Sequence, residues 1–140
     1  EAFADAYFAR SPVSIWKASR GFGGKSMTLA TLVLTEAVWL GAESTILGGS
    51  SAQSLRVHEA TDHAWQSTLA PKYLLKREPT IYTTALTNGG YIRALTASTK
   101  SARGPHPQRL RMDEIDEMDL FVLESAGRRQ HRPRARGERV

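Results

Sequence analysis

The segment Ser19-Arg20-Gly21-Phe22-Gly23-Gly24-Lys25-Ser26 holds the residues of this chain best suited to chemistry. It follows the pattern G-x-x-x-x-G-K-[ST], with Ser19 in place of the first glycine. Glycines at such positions let successive backbone N–H groups turn inward on phosphate oxygens with no Cβ in the way. A helix expected to start at Ser26 adds the partial positive charge of its N-terminus. Lys25 would then neutralise the β- and γ-phosphates, and the Ser26 hydroxyl would ligate magnesium. A glycine turn ahead of a buried helix is the alternative that needs no ligand.

Phosphate transfer to water also needs a carboxylate for the metal and often a second one for the nucleophile. Asp113-Glu114, expected at the end of a short strand, supplies both. Asp113 would hold magnesium through its water shell, and Glu114 would orient or deprotonate the attacking water. The strand is unusual, because Arg109 and Arg111 alternate with Leu110 and Met112, whereas a central parallel strand is normally apolar on both faces. An acidic helix start is the alternative reading of the same pair.

The elements that must position these groups alternate between short β-rich runs and longer helical ones, the pattern of an α/β sheet with crossover helices. Val13, Ile15 and Trp16 predict a first strand leading into the glycine-rich loop. Ser26 to Leu40 predicts a helix apolar on most sides, with Gly41 as its stop. A second strand is expected at Thr45 to Leu47, and the serines of Gly48-Gly49-Ser50-Ser51 can cap a helix running to about Leu69. Pro71 and Pro79 bracket a connection. Thr80 to Ala85 and Tyr91 to Thr96 read as strands joined through Asn88-Gly89-Gly90, a hairpin signal. A polar loop from Ser98 to Gln108 precedes the strand Arg109 to Met112 and the acidic cluster after it.

Composition bounds the reading. With 140 residues, 41% hydrophobic and 24% charged, the chain has the make-up of one folded domain or a piece of one. The absence of cysteine excludes disulfides, cysteine-ligated zinc and thiol catalysis. The stretch Met27 to Leu40 is shorter than the roughly 18 to 20 apolar residues of a membrane span and contains Glu36, so no membrane span is expected. No charged-then-apolar leader follows Glu1. The formal charge of +5 resides in the arginines of residues 127–140, so that residues 1–126 are neutral overall. That basic C-terminal segment reads as a flexible, solvated tail able to hold phosphates non-specifically. His58 and His63 are five apart rather than four and do not share a helix face well, which argues against a zinc helix. Trp39 and Trp65 are expected to be packing residues.

Between residues 10 and 125 the sequence resembles the large terminase subunit of tailed bacteriophages, the ATPase that drives DNA into a procapsid. The likeness rests on four places: Trp16-Lys17-Ala18-Ser19-Arg20-Gly21 leading into Lys25-Ser26, the Gly48-Gly49-Ser50-Ser51 step, the Ser101-Ala102-Arg103-Gly104 loop, and Leu110-Arg111-Met112-Asp113-Glu114-Ile115-Asp116. What it implies is an α/β P-loop NTPase with a RecA-like core of the additional-strand type, a parallel-rich sheet with flanking helices, occupying residues 1–126. It implies ATP and magnesium as cofactors, and a homo-oligomeric ring around double-stranded DNA. The partners implied are the small terminase subunit and the portal protein, in the host cell cytoplasm. Arg20 matches an arginine that reaches the phosphates in cis, although it stands five rather than four residues before Lys25. Arg103 matches one presented to the neighbouring subunit's nucleotide; a solvated loop arginine is its alternative. The coupling motif, the remaining ATPase strands and the nuclease domain would lie beyond residue 140, making this a partial ATPase domain. Another P-loop NTPase such as a helicase, or a non-catalytic nucleotide- or DNA-binding fragment, remains the competing reading.

Overall fold

A computed structural model describes residues 1–10, 13–17, 24–96 and 108–118. The chain forms an α/β structure in which a mixed four-stranded sheet is flanked by helices. Helix α1 spans Ala2–Tyr7, α2 Lys25–Leu40 and α3 Ser51–Gln66. Strand β1 spans Glu43–Gly48, β2 Thr83–Ala85, β3 Tyr91–Thr96 and β4 Arg109–Asp113, in the spatial order β2-β3-β1-β4. Single 3-10 turns occupy Lys72–Leu74 and Ile115–Glu117.

The local signals for these elements are visible at their ends. Gly41 closes α2 in the left-handed conformation (φ 59°), and the Ala42 N–H returns to the Glu36 carbonyl at 3.2 Å. Ser50 caps α3 reciprocally with Gln53: its hydroxyl accepts from the Gln53 N–H, while the Gln53 carboxamide oxygen accepts from the Ser50 N–H. Helix α3 stops at Gln66 rather than near Leu69, because Ser67 turns extended and its hydroxyl accepts from the Leu69 N–H instead. The β2–β3 hairpin forms as expected, yet β2 shortens to three residues. The Thr80 hydroxyl takes the N–H groups of Tyr82 and Thr83, drawing that stretch into a turn.

Two parallel ladders make the part of the sheet that matters for the site. β1 pairs with β3 from Glu43↔Tyr91 to Gly48↔Thr96, and with β4 from Ser44↔Arg109 to Gly48↔Asp113. β3 and β4 therefore flank β1, and all three parallel strands end on the same side. Helices α2 and α3 cover one face, where Leu29, Val33, Ala37 and Val57 pack on Ile46 and Ile92. On the other face, Leu47 and Met118 are buried with Leu95, Leu110 and Met112 packed against them.

This arrangement resolves the alternating pattern of β4. Residues Arg109, Arg111 and Asp113 all face the helices: Arg109 donates to the Tyr7 carbonyl at the end of α1, Arg111 to Glu36 of α2, and Asp113 accepts from Ser26 of α2. Leu110 and Met112 fill the opposite face.

Two expectations are corrected. Residues 13–17 lie outside the sheet, with Val13 67% and Ile15 78% exposed. β-branched side chains favour a strand only where a neighbouring ladder exists, and among the described residues no strand pairs with this stretch. Trp39 is 76% exposed on the last turn of α2, whereas Trp65 is buried against the core. The buried position near that end is instead taken by Glu36. No described helix is long and apolar enough to cross a membrane. The expected basic tail, residues 127–140, and most of the polar loop before β4 lie outside the described residues.

Candidate functional site

The carboxyl ends of β1 and β4 and the N-termini of α2 and α3 meet at one edge of the sheet. Gly48 makes this possible at the end of β1. A Cβ there would stand 2.5 Å from the Ser54 N and 2.9 Å from the Gln53 Cβ, so only glycine lets the first turn of α3 come this close. In open α/β sheets, ligands bind outside the carboxyl ends of the strands.

Helix α2 begins on the glycine-rich loop. Gly24 is its N-cap in the left-handed conformation (φ 54°), with no side chain to cap the first-turn N–H groups and open space around it. Lys25 and Ser26 follow in the first turn, Lys25 half-buried and Ser26 exposed. Uncapped N–H donors, the positive end of a 16-residue helix and an ammonium group form a setting suited to an anion. Among the described residues no carboxylate pairs with Lys25.

The two sequence-distant parts of the predicted site come together. The Ser26 hydroxyl donates to Asp113 Oδ2 at 3.0 Å, across 87 positions of sequence. The other carboxylate oxygen of Asp113 accepts the Glu114 N–H at 3.1 Å. An exposed Ser26 hydroxyl beside the Asp113 carboxylate is a hard-oxygen donor set that would suit magnesium, Ser26 directly and Asp113 through the ion's water shell. A site with so few protein ligands suits an ion that keeps waters and takes phosphate oxygens for the rest.

Glu114 is held in a way its sequence did not announce. It and Ala9 are the described non-glycine residues with positive φ; Glu114 sits at φ 53°, ψ 55°. Such a conformation costs about 1–2 kcal/mol for a residue with a Cβ, and strain of this kind concentrates at functional sites. Its carboxylate accepts from the side-chain amide of Gln53, in the first turn of α3. Gln53 was not foreseen as a site residue. The capping pattern Ser-x-x-Gln was readable, but the contact with Glu114 depends on α3 starting directly against the end of β1.

Behind the site stands a buried ion pair. Glu36 is fully buried, its oxygens accepting from two guanidinium nitrogens of Arg111 and, at 3.3 Å, from the Ser44 hydroxyl of β1. This pairing satisfies charges whose removal from water would otherwise cost several kcal/mol each. It lies between the same two elements that carry Ser26 and Asp113.

The other candidate groups fall elsewhere. Ser19, Arg20, Gly21, Phe22, Gly23 and Arg103 lie outside the described residues. His58 is buried and shares a hydrogen bond with Thr84 of β2 at 3.2 Å, while His63 is exposed, so the two histidines do not converge. No family model, curated protein or solved structure matches this chain.

Proposed function

We propose that this chain binds a nucleoside triphosphate with magnesium where the glycine-rich loop enters α2, and hydrolyses it as the ATPase part of a terminase-like DNA-packaging motor. The observation that carries the reading is the hydrogen bond between Ser26 and Asp113, which joins the loop serine to the acidic strand end. The motor assignment comes from the resemblance of the loop, the Gly-Gly-Ser-Ser step, the Arg103 loop and the acidic strand to large terminase subunits. A RecA-like sheet of the additional-strand type accords with the parallel β3-β1-β4 ladder.

In this reading the first-turn N–H groups of α2 and the Lys25 ammonium hold the β- and γ-phosphates. Ser26 and Asp113 would hold magnesium, which when bound offsets the negative charge on the phosphate oxygens. Glu114 orients a water toward the γ-phosphorus and takes its proton. The new P–O bond forms as the bond to the β–γ bridging oxygen breaks, leaving a nucleoside diphosphate and inorganic phosphate. Arg20 would reach the phosphates from its own subunit and Arg103 those of a neighbour in a homo-oligomeric ring. Double-stranded DNA, the small terminase subunit and the portal protein are the proposed partners, in the host cytoplasm.

The test is ATP binding and phosphate release by the full-length protein with DNA present. Lys25→Ala should abolish magnesium-dependent ATP binding. Glu114→Gln should retain affinity and lose turnover by about 10²-fold or more, some 2.7 kcal/mol of barrier. Asp113→Asn should weaken binding only when magnesium is present. Unchanged binding and hydrolysis in Lys25→Ala would remove the loop from the mechanism.

A further inference from the structure

We propose that Glu36 and Arg111 are a positioning pair: their buried ion pair holds α2 against β4 at the offset that brings Ser26 to Asp113. The proposal rests on reading Ser26 and Asp113 as the magnesium and phosphate site, and it assigns to that site two residues that touch neither ligand.

The placement argues for it. Among the described residues, the hydrogen bonds that join α2 to β4 are Ser26 to Asp113 and Arg111 to Glu36. Arg111 and Asp113 are two apart on the helix-facing side of β4, and Ser26 and Glu36 lie on the one helix. Among the described residues β4 pairs through its backbone with β1 alone, so its relation to α2 is set across the sheet face by side chains. Packing of Leu29, Val33 and Ala37 on Ile46 and Ile92 seats α2 on β1 and β3; the Glu36–Arg111 pair adds a direct, directional tie to β4, deeper than the one at Ser26.

The chemistry of the pair points the same way. Both Glu36 oxygens are engaged, one by Arg111 alone and the other by Arg111 at 3.4 Å together with Ser44 at 3.3 Å. A guanidinium fork on a carboxylate fixes direction as well as distance. Apolar side chains could fill the same space beside Val33 and Ala37 with equal or greater stability, because buried ion pairs add little net stability over well-packed hydrophobes. What apolar contacts would not supply is the fixed offset. Residues that orient metal ligands through a second layer of bonds typically change metal affinity by about 10- to 100-fold when replaced.

The experiment compares affinity for a non-hydrolysable ATP analogue in excess chelator and in saturating magnesium, using the full-length protein. The ratio of the two is the gain due to metal. In Glu36→Leu combined with Arg111→Met, with Ser44→Ala added so that no buried hydroxyl is left unpaired, the thermal midpoint should be held or raised and the metal-free affinity retained. The metal-dependent gain should fall about tenfold or more. Arg111→Lys, which keeps the charge but not the fork, should lie between. If the apolar pair does not fold, Glu36→Gln, neutral and of the same shape, gives the same comparison and should also lose part of the gain. A folded variant with the wild-type metal-dependent gain overturns the pair while leaving the site intact. A wild-type protein that shows no gain from magnesium overturns the site itself and the pair with it.

Discussion

The side-chain amide of Gln53 donates to the carboxylate of Glu114, while its carbonyl oxygen accepts the N–H of Ser50 at 2.6 Å. One side chain thus both caps α3 and restrains the acid proposed to orient water. Its two roles separate by substitution. Gln53→Glu preserves the capping pattern, since a carboxylate accepts from the Ser50 N–H equally well, but sets a like charge against Glu114. Gln53→Ala removes both contacts. Turnover of ATP should fall roughly tenfold in both variants, about 1.4 kcal/mol of barrier. The alanine variant should lose about 0.5–1 kcal/mol of stability with the cap, whereas the loss in the glutamate variant should come from charge repulsion and shrink in high salt. Steady-state phosphate release with thermal melts checks this, and full activity in Gln53→Glu would show that Glu114 acts without this restraint.

Asn88 fastens the β2–β3 hairpin to the end of α2. Its amide nitrogen donates to the carbonyls of Ala37 and Val38 at 3.0 and 2.8 Å, and its oxygen accepts the Gly90 N–H at 2.9 Å. Gly90 must be glycine for this approach, because a Cβ would stand 2.3 Å from the Ala37 carbonyl oxygen. Asn88→Ala should destabilise the fold by about 1–2 kcal/mol, as last-turn carbonyls lose their donors. Asn88→Asp keeps the acceptor for Gly90 yet puts negative charge at a helix C-terminus, so it should be at least as damaging. Urea unfolding of the two variants gives the order; a milder effect of aspartate would mean that the bond to the Gly90 N–H outweighs charge repulsion at the helix end.

His58 gives the fold a pH dependence. Burial pushes its pKa below the ordinary value, with Asp62 and Glu59 pulling the other way. The unfolded chain takes up a proton near pH 6.5 while the folded chain resists it. Its contribution to stability is therefore present above about pH 6.5 and lost as pH falls through the lower folded value. Unfolding midpoints in urea should decline between pH 7.5 and 5.5 more steeply for the wild type than for His58→Gln, which keeps a polar group opposite Thr84 without a titrating ring. Parallel slopes would show that His58 charges freely in the folded state.

The amino-acid sequence by itself determined those features whose causes lie within a few residues. The cap at Ser50, the stop at Gly41 and the turn through Asn88-Gly89-Gly90 were legible because each is a contact between near neighbours along the chain. The pairing of a Gly-Lys-Ser step with an acidic strand end was legible as chemistry, since few residue types can neutralise phosphate or hold magnesium. Tertiary structure alone decided that Ser26 meets Asp113, that Gln53 meets Glu114 and that both arginines of β4 turn toward the helices. It also left residues 13–17 out of the sheet and put Glu36 rather than Trp39 in the interior. These outcomes follow from the register Gly48↔Asp113 and from the seating of two helices on one face. A one-residue slip in that register would turn Arg111 and Asp113 to the opposite side. Local periodicity carries no information about such a register: it is set by the simultaneous packing of strands and helices far apart in the chain.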